Sequence, residues 1–209
     1  MIHTLHARIS RVIDQTILDL AKRRHLSLDT MRWEGIIRIR ELPDCMDYTT
    51  YKKWWCPQRD EKGALIRPAR MSEREKARYE VAAAHNLITS LGRTQVLTFA
   101  GSNITTTAFS QYFSVGTFPI NSVQPGDTGV NVEIYRAVPS AFTVTGNTVD
   151  ISTFFGTAQG NGTLTNCGLW GINATATANS GTLMTHALLN QYLKDSSHTV
   201  TFDYLIVLN

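Results

Sequence analysis

Positive charge all but disappears from this chain after Arg93. Of its 20 Lys and Arg residues, only Arg136 and Lys194 lie beyond that point. Charged residues make up 18% of the whole chain, against the usual ~25%. So little charge suits a β protein that buries much of its surface, including against other subunits. Cysteine is equally sparse: Cys45, Cys56 and Cys167 form an odd set with no CxxC spacing. That argues against a disulfide framework and for synthesis in a reducing compartment. No stretch approaches the ~18 apolar residues of a membrane span. No secretory signal fits the start, because Arg8, Arg11, Asp14 and Asp19 interrupt its apolar residues. There is no GxSxG elbow, P-loop, HExxH or helix-opening GxGxxG, so none of the enzyme classes these motifs announce is indicated.

What is present divides at the same boundary. Residues 1–93 carry 18 basic and 12 acidic groups, whereas residues 94–209 carry 2 and 5. A basic, mixed helical docking segment over 1–80 is expected to favour an acidic partner. The body, 81–209, is expected to hold a connecting helix and an antiparallel β-sandwich, jelly-roll or immunoglobulin-like in class. The fold as a whole reads as mainly β with a helical N-terminal part.

Within the first segment, Leu5, Ile9, Val12, Ile13, Thr16, Ile17 and Leu20 predict an amphipathic helix over 4–24. It would end near Lys22-Arg23-Arg24, where cations suit the negative end of the dipole. Alternation predicts a short strand over 33–42, and Asp47–Trp55 a short helix stopped by Pro57, followed by a loop holding Gly63 and Pro68. Ser72-x-x-Glu75 is a capping box. Ala77, Val81, Ala84, Ile88 and Leu91 then fall at helical spacing, predicting a helix over 73–91 with Gly92 as its left-handed cap. Its Ala-rich stripe would let a neighbour approach closely.

From Thr94 the period changes to two, predicting strands over 94–100, 111–116, 130–137, 140–145, 148–155, 162–172, 181–189 and 198–208. Thr145-Gly146-Asn147-Thr148 is the best hairpin signal. The last strand puts Val200, Phe202, Tyr204, Ile206 and Leu208 on one face. Its other face passes from Thr199, Thr201 and Asp203 to Leu205 and Val207, which fits a central strand or one sealed by a partner. About eight short strands between turn signals suggest a sandwich.

Residues that could carry chemistry mostly read as structural. His3 and His6 lack further ligands for zinc, Cys45 and Cys56 read as packing thiols, and Cys167 as a small buried side chain. Asp127, Glu133, Asp150, Asp195 and Asp203 are spread over five segments and read as turn or surface acids rather than a glycosidase pair. Asn103, Asn161 and Asn173 lie in N-x-T sequons that reflect Thr-rich strands. Arg67, Arg70, Arg74 and Arg78 interleave with Glu73, Glu75 and Glu80, as on a salt-bridged helix face. Tyr51-Lys52-Lys53-Trp54-Trp55 mixes cations with aromatics. An interface anchor is the preferred reading, ahead of local core and of single-stranded nucleic acid. The candidate protein interface therefore comprises Tyr51, Trp54, Trp55, Ala77, Val81, Ala84 and Ile88. No cofactor or metal is called for.

Several stretches of the body resemble structural proteins of tailed bacteriophage particles. They are Ala82–Arg93, Tyr112–Thr117, Pro125–Thr128 leading into Glu133–Arg136, Gly146–Ser152, Leu164–Gly171 and Ser180–Ala187, with the final apolar strand. The resemblance spans 82–209 and rests on structural rather than catalytic motifs. It implies a non-enzymatic virion subunit of the tail or neck, or else a head-surface accessory protein, made in the host cytoplasm. It also implies homo-oligomers and other virion proteins as partners; the composition and the Tyr51–Trp55 tract independently make nucleic acid a disfavoured partner and call for no membrane. A sandwich module binding host-surface glycan through loop aromatics such as Phe118 or Tyr192 is the alternative from another class.

Overall fold

Alternating residues form strands at most of the places where the sequence shows them. The structure, a computed structural model, describes residues 33–42, 46–60, 64–101, 110–146 and 148–208. The helix expected over 4–24, His3, His6, Cys45, Gly63 and Asn103 lie outside the described residues. Residues 34–207 form one compact unit.

The strands are β1 (Trp33–Glu41), β2 (Gln58–Arg59), β3 (Leu65–Arg67), β4 (Glu80–Ile88), β5 (Tyr112–Gly116), β6 (Glu133–Ala137), β7 (Ala141–Thr145), β8 (Thr148–Phe155), β9 (Gly162–Gly171), β10 (Thr182–Lys194) and β11 (Val200–Leu208). The chain is mainly β, built on a curled antiparallel sheet of nine strands in the order β6-β5-β9-β10-β4-β1-β11-β8-β7; β2 and β3 pair separately. Among the described residues the helices are short: α1 (Tyr48–Trp54), α2 (Glu73–Lys76) and α3 (Ser90–Gly101), with a 3-10 turn at Ala77–Tyr79. β1 lies between β4 and β11, so the boundary expected at residue 80 runs through the sheet rather than beside it.

The curl encloses one apolar cluster drawn from most of the strands. Ile37, Ile39, Phe113, Val115, Ile151, Phe155, Leu169, Phe202 and Tyr204 are all buried in it. Val200, Phe202, Tyr204 and Ile206 share the face that alternation assigned them, and β11 sits inside the sheet. Each such side chain contributes ~1.5–3 kcal/mol on burial. Tyr135 of β6 meets Phe155 of β8 edge to face at 4.9 Å, so strands seven places apart in the order come together through the core. The β7–β8 hairpin has the register the Gly-Asn turn demands, Thr145 opposite Thr148, and Gly146 has φ +55°.

Two expectations are overturned. The capping box forms, with Ser72 and Glu75 bonded reciprocally, but α2 stops after one turn and residues 80–88 are a strand, not a helix. Ala82 and Ala84 turn toward the inner cluster while Val81, Ala83 and His85 face outward, a period of two that an Ala-rich run disguises. β4 pairs with β1 on one side and β10 on the other, and that pairing overrides alanine's helical preference.

The strand expected over 94–100 is instead part of α3. Thr89 decides this. Its hydroxyl accepts from the Gly92 N–H at 2.9 Å, its carbonyl accepts from the Arg93 N–H, and its hydroxyl donates to the Leu183 carbonyl at 2.5 Å. A helix N-cap pinned to β10 outweighs the strand propensity of the Val-Leu-Thr-Phe run. Gly92 therefore stands in the first turn of α3 rather than at a helix end. A Cβ there would lie 2.0 Å from the Met184 carbonyl oxygen.

Candidate functional site

The outer face of β1, β11 and β8 carries charge rather than oil. Along β1, Ile37 and Ile39 point into the core, so Arg38 and Arg40 fall on the opposite face by simple alternation. Arg40 is 1% exposed and gives its Nη1 to Asp203 Oδ2 at 2.5 Å. The other Asp203 oxygen accepts from Ser152 at 2.5 Å and from Thr201 at 3.2 Å. Arg40 Nη2 reaches Glu73 of α2 at 3.3 Å, and Glu73 also accepts from the buried Lys76 at 2.8 Å.

A second, smaller apolar cluster covers one flank of these charges: Leu42, Tyr51, Trp55, Cys56 and Phe154, with Met46, Met71 and Tyr79 against it. Asp47 starts α1 by accepting from the Thr50 N–H at 2.8 Å, which aims Tyr51 and Trp55 down at the sheet. Tyr51 shares a hydrogen bond with Thr201, and the Lys76 ammonium lies 5.8 Å from the Trp55 ring.

A cleft of about 560 Å³ opens beside this cluster. One wall is the β7–β8 hairpin, the other the β2–β3 pair with α2. Asp150 of β8 lines it, and burial, followed by the charges of Asp203 and Glu73, raises its carboxyl to about 7, with Lys76 and Arg40 opposing. Asp150 Oδ1 and Trp55 Nε1 are buried without a protein partner, and both residues line the cleft. Burial works against the charge of Glu73, but the hydrogen bond and charge of Lys76, then Arg40, outweigh it and hold that carboxyl below its ordinary range. Ser152 is occupied as a donor to Asp203, so the geometry organises carboxylates and cations into a fixed polar floor.

The residues expected at an interface scatter. Tyr51 and Trp55 are core, whereas Trp54 is 44% exposed with the Arg70 guanidinium 5.2 Å from its ring centroid. Ala77 and Val81 are exposed, Ala84 is half-buried under the sheet and Ile88 is buried, so no helical stripe exists. Of the acids, Asp127 caps its own turn and pairs with the buried His186 at 2.6 Å. Glu133 is bonded to Arg136, which lies over Trp170. Cys56 and Cys167 are buried free thiols whose pKa burial raises. Among the described residues, no group of three His, Cys, Asp or Glu is placed to hold a metal, and no helix is long and apolar enough to cross a membrane.

The polar floor was missed in the sequence. Its available signal was Asp203, an acid inside an otherwise apolar and Thr-rich strand, opposite Arg38 and Arg40 alternating with isoleucines. No family model, curated protein or solved structure matches this chain.

Proposed function

We propose that this chain is a non-enzymatic structural subunit of a tailed bacteriophage particle, a tail or neck component first and a head-surface accessory protein second. The observation that supports it is the state of the sheet edges. β7, at one end of the strand order, has no charged residue and exposes Phe142 and Val144 at 48% and 57%. β6, at the other end, exposes Ile134, with exposed Val132 and Val138 flanking it. Proteins that remain alone blunt such edges with lysine, proline or bulges. β6 itself carries Glu133 and Arg136, bonded to each other, so the uncharged apolar edge is that of β7; such an edge suits a chain whose neighbours cover it, and homo-oligomers are the simplest neighbours.

In this reading the curled sheet works as a sandwich of the jelly-roll or immunoglobulin-like kind. The basic N-terminal segment, about 1–80, would dock it onto other virion proteins. The test is the native mass of the purified 23.3 kDa chain, alone and within particles. A closed ring of defined copy number is expected for tail or neck, and hundreds of copies per particle for the head surface. A chain that stays monomeric at every concentration and is missing from purified particles overturns the reading.

The glycan-binding alternative draws on Phe118, exposed on its loop. Tyr192 suits it less, because its hydroxyl donates to Glu41 and its ring lies against His198. Binding of the whole chain to a glycan array would favour this second reading.

A further inference from the structure

We infer that the cleft between the β7–β8 hairpin and the β2–β3 pair is a docking site for an extended peptide strand carrying a lysine or arginine, which adds to the free edge of β7. The inference deepens the subunit reading and rests on it for the source of the strand, a neighbouring protein in the particle.

Three independent features converge there. The first is a free ladder. Among the described residues β7 pairs only with β8, and the two-residue turn makes Thr145–Thr148 a hydrogen-bonded pair. Alternation along an antiparallel ladder then bonds Thr143 to Asp150 and turns the N–H and C=O groups of Phe142 and Val144 outward. Those groups are what strand addition uses.

The second is an unmatched donor. Trp55 is 1% exposed, its Nε1 has no protein partner, and it lines the cleft. An indole N–H can only donate, so it fits a carbonyl of an incoming backbone. A bare apolar ligand would leave it unsatisfied, at a cost buried polar groups seldom bear.

The third is a charge imbalance. Asp150, Asp203 and Glu73 are carboxylates, whereas Arg40 and Lys76 are the cations among them. Asp203 is committed to Arg40, and Glu73 to Lys76 and Arg40. Arg38 at the cleft wall pairs with Glu80 at 3.6 Å, and Arg59 at the rim has its own interaction. Lys76 and Arg40 act on Asp150 through their charge but are bonded to Glu73 and Asp203, so Asp150 Oδ1 is left without a directly bonded cation. An ammonium or guanidinium from a bound strand supplies one, whereas an acidic side chain would add a third repulsion to those from Asp203 and Glu73. Apolar flanks at Val144, Leu65 and Pro57 fit the hydrophobic neighbours of such a residue.

The experiment uses the full chain and fluorescein-labelled pentapeptides of sequence Thr-Val-Lys-Val-Thr, read by anisotropy. The lysine peptide is expected to bind at least about tenfold more tightly than its glutamate counterpart, the difference a hydrogen bond to a charged group makes. N-methylation of alternate peptide amides should abolish binding, because it removes the ladder donors. Asp150→Asn should erase the preference for lysine while retaining weak binding. Val144→Pro, which removes an outward N–H that the β7–β8 ladder does not use, should abolish binding of every peptide with the circular dichroism unchanged.

No binding of the lysine peptide, equal binding of the N-methylated form, or an unchanged lysine preference in Asp150→Asn overturns the inference. Any of these leaves the subunit reading standing, since that is judged by native mass and presence in particles. A monomer absent from particles that still binds the lysine peptide does the reverse.

Discussion

The two faces of the same sheet solve burial in opposite ways. Inside the curl, the tilted rings of Phe113, Phe155 and Phe202 pack with centroids 4.9–6.1 Å apart, and the stabilisation is non-directional and additive with area. On the outer face, Arg40 and Asp203 are as deeply buried as the phenylalanines. Ser152, Thr201 and Glu73 supply the further hydrogen bonds that hold them there, although Arg40 Nε is buried without a partner. A buried ion pair adds little net stability but makes the loss of either partner severe. The inner face therefore tolerates change in proportion to size, whereas the outer face tolerates removal of the pair better than removal of half.

That contrast can be broken most sharply at Asp203. Asp203→Ala strands the Arg40 guanidinium and should cost about 3–5 kcal/mol in urea unfolding, whereas the double variant Arg40→Met/Asp203→Leu should recover most of it. A double variant as unstable as the single one would show that the pair itself holds the fold. Phe155→Ala on the inner face should cost about 3–4 kcal/mol, with no partner substitution able to restore it. Gly92→Ala drives a methyl into the Met184 carbonyl and should cost about 1–3 kcal/mol, read as a lowered melting temperature.

Asp150→Asn should act in the opposite direction and depend on pH. The carboxyl of Asp150 is raised to about 7 from 3.8, so between those values the folded chain holds a proton that the unfolded chain has released. Stability conferred by that proton falls as pH rises through the window and is level above it. The asparagine variant should match the parent near pH 4 and exceed it above pH 7, by on the order of 1–2 kcal/mol. A gap that does not grow with pH would contradict the assignment of a strained, neutral-prone carboxyl. The smallest effect is expected at Ser72→Ala, about 1 kcal/mol, from loss of the α2 cap.

Most of the inner face was legible because its code is short-range. Val149, Ile151 and Phe155 announce β8, and the even-numbered residues of β11 announce its buried side. α1 was legible from Asp47 and Pro57. The failures came where two codes overlapped. Ala77, Val81, Ala84 and Ile88 satisfy a helical spacing, yet Ala82, Ala84 and Ile88 also satisfy a strand, and only β1 and β10 arriving from distant sequence decide between them. Thr89-Ser90-Leu91-Gly92 reads equally as one helix ending or another beginning, and the Thr89 bond to Leu183, 94 residues away, settles the matter. The polar floor was hidden for the same reason. Arg40, Glu73, Asp150 and Asp203 come from four separate elements, and no spacing along the chain links them.

The position of β11 has a consequence for how the chain is made. It is the strand that joins β1 to β8, so a ribosome that has released everything through β10 has produced two groups of strands with, among the described residues, no ladder between them. Until β11 emerges, β8 and β1 each offer an unpaired edge inside the cell. Nascent chains stalled at that stage should be conspicuous clients for chaperones, and prematurely terminated products should be cleared by proteases rather than accumulate.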